Sequence, residues 1–242
     1  MNREYIKWHS PLLQRDMEML VFGDRGARVL FFPTRKARFY DYENWGVIDS
    51  LRSKIEAGDM QIFCVDSIDA ESFYNYFISP ADRIKRHILY ERYIVEEVLP
   101  FTRDKNPNMY MISAGCSLGA YHALNLAFKH PHLVGKAVGM SGRYDLTQAM
   151  GSFKDLFQGY VDENIFYNMP NRYMQGLKDE KYLKEIKRME IIIAIGEHDA
   201  FIADNKFLHN LLNEKNIPNE LHVWGNESHN PLEWREMVQF YI

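Results

Sequence analysis

The chain has 242 residues, 46% hydrophobic and 26% charged, enough apolar material for one large globular domain, expected to span residues 1–242. A formal net charge of −4 argues against a nucleic-acid or anionic-membrane partner, and no apolar run approaches the roughly 18 residues that cross a bilayer. Met1 to Trp8 lacks an apolar signal core, and Cys64 and Cys116 sit in apolar runs rather than a disulfide pattern, so a cytoplasmic location is expected.

Taken in order, Glu4–Trp8 reads as a weak strand and Asp16–Phe22 as a stronger one. Gly23-Asp24-Arg25-Gly26 reads as a hairpin turn joining the latter to Val29–Phe32. Pro33 stops that run and opens a loop without glycine, Thr34 to Tyr40. A helix is expected over Trp45–Ile55, a buried strand over Gln61–Val65 and a long amphipathic helix over Arg83–Leu99. Met109–Ala114 is the next buried strand, and Ala120–Phe128 a helix that ends near His130-Pro131. After a strand at Gly135–Met140 the pattern loosens. Residues 146–188 gather Phe153, Phe157, Tyr160, Phe166, Tyr167 and Tyr173, which either wall a pocket as a short cap or pack an extra helix onto the core. Glu190–Ile195 is the clearest buried strand, followed by a helix over Asn205–Asn216, a strand at Leu221–Trp224 and a helix over Leu232–Phe240. Strands alternating with helices imply an α/β fold with a mostly parallel central sheet, an antiparallel start and helices on both faces.

The chemistry-bearing stretch is Gly115-Cys116-Ser117-Leu118-Gly119 between a strand and a helix. A G-x-S-x-G segment in that setting is a nucleophile elbow: the serine occupies a strained turn above the sheet, and small residues two before and two after it allow the chain to pass. The N–H of Leu118 then opens a helix, where an unpaired donor can meet a developing oxyanion. A serine hydroxyl needs a base, and the base an orienting acid. His229, in the loop after the last strand, is the candidate base. His9, His87, His130, His132 and His209 sit in polar surroundings and are expected at the solvent; His122 lies on the elbow helix and His222 within a strand. Asp199, after a tight turn off the strand ending at Ile195, is the candidate acid, with Glu197 and Asp145 as rivals. Glu197, His198 and Asp199 are adjacent and cannot converge on one metal ion without distortion. The loop after the Val29–Phe32 strand offers a second oxyanion donor, the N–H of Arg35. Arg35, Lys36 and Arg38 are either solvated or attract an anionic substrate group.

These motifs, with Ser141-Gly142, Tyr144-Asp145, Asn205 and Trp234, resemble the putative-esterase family of α/β-hydrolases, which includes S-formylglutathione hydrolases, enterochelin and feruloyl esterases and the mycolyltransferase antigens. The resemblance runs from about Val29 to Trp234. It implies the α/β-hydrolase fold, a Ser117–Asp199–His229 triad, no cofactor and no metal, and a serine carboxylesterase acting on a small-molecule ester. Acyl transfer with the same triad and a catalytically silent binding protein are the alternative readings. Family members are often dimers or larger, so a homo-oligomer is within expectation. Val29 to Arg35 resembles the strand and oxyanion loop of the mycolyltransferases. Two departures stand out: Pro33-Thr34 replaces a His-Gly pair common in the family, and Asn230-Pro231 replaces Asp-Trp after the histidine.

Overall fold

In a computed structural model that describes residues 1–225 and 229–242, eight strands form a single sheet. They are β1 (Arg3–Ser10), β2 (Arg15–Phe22), β3 (Ala27–Phe32), β4 (Met60–Val65), β5 (Met111–Cys116), β6 (Lys136–Met140), β7 (Glu190–Gly196) and β8 (Glu220–Trp224). Their order is β1-β2-β4-β3-β5-β6-β7-β8. The first two pairings are antiparallel and all others parallel, which is the α/β-hydrolase arrangement expected from the sequence.

The buried strands read as continuous apolar runs because both of their faces are covered. Alternate residues go to opposite sides. Leu30, Phe32, Phe63, Val65, Ile191 and Ile193 pack under the helices Pro80–Tyr93 and Leu118–Lys129. Val29, Phe31, Ile62, Cys64, Ile192 and Ala194 pack against Leu51, Ile55, Trp234 and Met237 on the other face. Cys64 and Cys116 are both free and buried. Among the described residues no helix is long and apolar enough to cross a membrane.

Three elements depart from expectation. The helix expected over Trp45–Ile55 is α-helical only from Arg52 to Ala57, after a 3-10 turn at Asp49–Leu51. Gly23 and Gly26 do turn the chain, at φ +86° and +88°, but β2 and β3 do not form a hairpin. β4 enters between them, pairing antiparallel with β2 and parallel with β3. A strand as fully buried as β3 needs neighbours on both edges, and β4 and β5 provide them. The expected helix over Arg83–Leu99 begins earlier, at Pro80. There the Ser79 side chain caps the Asp82 N–H and Pro80 takes a position whose N–H would be unpaired in any case. Its far end passes through a π-helical turn, Ile94–Val98, into a further helix, Leu99–Lys105. Pro100, which has no N–H to donate, lies just after that turn.

Candidate active site

Ser117 directly follows β5 with φ +57° and ψ −120°, a backbone conformation that costs a non-glycine residue about 1–3 kcal/mol. The neighbouring glycines let the elbow close. A Cβ on Gly119 would collide with the carbonyl of Phe32 at the end of β3, and one on Gly115 with the backbone of Gly119. The turn is pinned from several sides: Ser117 N–H donates to the carbonyl of Met140 at 2.8 Å, and Cys116 N–H to the hydroxyl of Tyr42 at 2.9 Å. The same Tyr42 hydroxyl donates to the carbonyl of Phe32 at 2.8 Å, so one buried phenol ties β3 to the elbow.

Asp199 follows β7 through a turn in which its N–H reaches the carbonyl of Gly196 at 3.2 Å. Its carboxylate is buried; Oδ1 accepts the Phe201 N–H at 2.9 Å and Oδ2 lies 2.8 Å from His229 Nδ1. His229 Nε2 lies 3.0 Å from Ser117 Oγ. An ionised carboxylate can only accept, so Nδ1 carries the imidazole proton and Nε2 is left as the acceptor facing the serine hydroxyl. Phe201 and Trp234 pack edge-on against the imidazole at centroid distances of 5.5 and 5.7 Å, which fixes the ring plane. Trp234 is held in turn by a hydrogen bond from its indole N–H to Ser141 Oγ at 3.1 Å. Residues 226–228 of the loop carrying His229 lie outside the described residues.

The N–H groups of Leu118 and Arg35 donate to no other group among the described residues, and both residues line the cleft that contains Ser117. The loop that carries Arg35 is anchored by the Lys36 N–H, which donates to Asp69 Oδ2 at 3.0 Å. Arg38 leaves the cleft, its guanidinium held by Asp66 at 2.8 Å and Glu18 at 2.6 Å.

The rival acids are elsewhere. Asp145 is buried and spent on Thr147, Gln148 and the Arg172 guanidinium, the last at 2.9 Å. Glu197 is exposed beside His198, and Asp199 turns away from both, so the three do not converge. His87 corrects the expectation of a solvated side chain. It is buried against Phe73, Tyr121 and His122, and burial pulls its pKa well below the usual imidazole value, which keeps it neutral. Its spacing of three from Ile84 on the helix was the available signal. The aromatic stretch divides: Phe153 faces His229 at 6.1 Å, while Phe157 packs in the core beside Phe73. Sequence reading missed Tyr42 and Asp69, whose partners lie 74 and 33 residues away in the chain.

An imidazole between a serine and a carboxylate, at the carboxyl edge of a mostly parallel sheet, is the arrangement of a serine hydrolase on the α/β-hydrolase fold. The profile of the family described as Putative esterase matches residues 41–232. The chain therefore belongs to that family and is a hydrolase acting on ester bonds. Among solved structures it is similar to a ferulic acid esterase, with a TM-score of 0.74 at 14% identity over 98% of this chain and 95% of the other. It is similar also to S-formylglutathione hydrolase from Staphylococcus aureus, at TM-score 0.67 and 18% identity over 99% of this chain and 97% of the other. A third is the ferulic acid esterase of Anaeromyces mucronatus bound to ferulic acid, at TM-score 0.64 and 14% identity over 99% and 89%. At such identities the likeness is one of fold. No curated relative matches the chain in sequence.

Proposed function

We propose that the protein is a serine carboxylesterase that cleaves a small-molecule ester through an acyl-enzyme on Ser117. The observation that carries this reading is the single imidazole of His229 within hydrogen-bond reach of both Ser117 Oγ, at 3.0 Å, and Asp199 Oδ2, at 2.8 Å. In this reading His229 Nε2 takes the Ser117 proton as Oγ attacks the ester carbonyl. Asp199 holds the ring in the required tautomer and stabilises the imidazolium. The N–H groups of Leu118 and Arg35 receive the tetrahedral oxyanion, donors typically worth about 3 kcal/mol each in kcat. His229 then passes its proton to the leaving alcohol, and water attacks the acyl-enzyme with the same imidazole as base.

The test is labelling with a fluorophosphonate probe and mass mapping of the adduct, on wild type and His229→Ala. The expected result is an adduct on Ser117 whose formation depends on His229, with Ser117→Ala losing about 10⁴-fold or more in ester turnover. No adduct in a protein shown to be folded, or an adduct on another residue, overturns the reading.

A further inference from the structure

We propose that the ester taken by this site carries an anionic group, a carboxylate or a phosphate, which binds in a basic cavity beside Ser117; the inference rests on the esterase reading above. This cavity, of about 300 Å³, is walled by Arg35, Lys36, Arg143 and Lys154 together with Tyr74 and Phe153, and among the described residues no carboxylate lines it. Arg35, Tyr74, Arg143 and Phe153 also line the cleft that holds Ser117 and Leu118, so a group seated among the four cations lies next to the reacting carbonyl.

No carboxylate among the described residues lies within ion-pair distance of the four cations of this cavity, in contrast to Arg38 in the same loop and Arg172 nearby, which are held by Asp66 and Asp145. The nearby carboxylates are otherwise occupied: Asp69 accepts the backbone N–H of Lys36, and Asp155 those of Phe157 and Gly159.

Arg143 is the decisive residue. It is only 4% exposed, and its Nη2 donates to the carbonyls of Leu146, Gln148 and Lys154, whereas its Nε is buried with no hydrogen-bond partner among the described residues. Burial lowers its pKa, and the carboxylates of Asp204, Asp145 and Asp155, none of them within ion-pair distance, oppose that shift without cancelling it. A buried cation without an ion pair is costly unless something supplies the balancing charge, and an anion in this cavity would do so. The aromatic walls hold the outer cations in place, with Arg35 over Tyr74 and Phe153 at 6.0 and 5.8 Å and the Lys36 ammonium over Tyr74 at 5.3 Å.

The test compares kcat/KM for matched esters. One pair places the charge on the acyl side, 4-nitrophenyl hydrogen succinate against 4-nitrophenyl pentanoate. A second series places it on the alcohol side, phenyl butyrates bearing a ring carboxylate, a ring phosphate or neither. At least one charged ester is expected to be favoured over its neutral partner by about 10-fold, with the preference falling as salt is added. Which ester is favoured identifies the anion and the half of the substrate that carries it. The preference should fall towards unity in Arg143→Gln. In Lys36→Ala/Lys154→Ala, whose side chains are exposed and so do not hold the fold, it should fall by up to about 5-fold per lysine. Turnover of neutral esters with no charged ester preferred, or a preference that survives both variants, overturns the inference and leaves the esterase reading standing. Absence of turnover for every ester in folded protein overturns both.

Discussion

Tyr42→Phe isolates the hydroxyl that joins the two halves of the site. The ring of Tyr42 is fully buried and stacked on Phe31 at a centroid distance of 4.0 Å, so phenylalanine keeps the packing and removes only the oxygen. Burial pushes the phenol pKa well above its usual value, so the hydroxyl stays protonated and acts as donor and acceptor throughout the working pH range. Its loss removes the bond to the Phe32 carbonyl and leaves the Cys116 N–H without a partner in a dry core. A typical bond contributes about 0.5–1.5 kcal/mol net and a stranded buried donor costs about 1–3 kcal/mol, so a loss of about 2–4 kcal/mol is expected. For a chain of this size that corresponds to a fall of about 6–12 °C in Tm, read by calorimetry or circular dichroism. The kinetic effect should fall on kcat rather than KM. Cys116 precedes the proposed nucleophile, and Phe32 leads into the loop that carries the proposed Arg35 donor, so both groups lose a common anchor. A loss of about 10- to 100-fold in kcat is the scale of a sub-ångström to 1 Å misplacement. A variant with unchanged Tm and unchanged kcat would refute the reasoning, because a hydroxyl with these two partners could not then be holding the elbow against β3.

Ser117→Gly should raise stability by about 1–3 kcal/mol while abolishing turnover, since glycine adopts the φ +57° elbow without strain; denaturant unfolding checks it, and a lower midpoint would remove strain from the account of the elbow. Asp69→Ala should lower kcat by about 10-fold with little change in KM, because it frees the Lys36 N–H and with it the loop presenting the proposed Arg35 donor; steady-state kinetics decide, and unchanged kcat would mean the loop is held without Asp69 or does not supply the donor. Burial raises Asp204 to about 6, despite its bonds from the Tyr144 N–H and the Asn171 amide. The folded state thus holds this proton more tightly than the unfolded one. The stability it contributes is fully present below about pH 4 and is lost as pH rises through about 6, an effect of about 3 kcal/mol. Chemical denaturation between pH 4 and 7 should show that fall in wild type and a flatter profile in Asp204→Asn; identical profiles would assign the fall to other groups.

What the sequence made legible was local. The elbow can be read from five residues because the constraint is steric: Gly115 and Gly119 face backbone at contact distance, and any larger residue there would be visible as a conflict. The buried strands can be read because an apolar run of five or six residues has few alternatives to the middle of a sheet. Strand order could not be read in the same way. β2, β3 and β4 are similar apolar runs, and which of them are neighbours depends on which edges remain unpaired once β5 is placed. The same distinction separates Asp199 from its rivals. Asp145 and Glu197 also follow strand ends, but Asp145 meets Arg172, 27 residues on, and Glu197 faces outward. Likewise Arg143, in a short polar stretch after β6, has the sequence appearance of a solvated arginine, and only the folding of the 146–154 loop over it buries the guanidinium. The loop of the proposed Arg35 donor makes the physical point most clearly. The stretch from Thr34 to Tyr40 has no glycine, yet Lys36 itself takes φ +56°, and the carboxylate of Asp69 binds its N–H. A local conformational penalty is thus offset by a side chain 33 residues away. Missing glycines are for that reason weaker evidence against an oxyanion site than present ones are for a nucleophile elbow: a tight steric approach admits no substitute, whereas a strained loop can be held by any partner the fold brings to it.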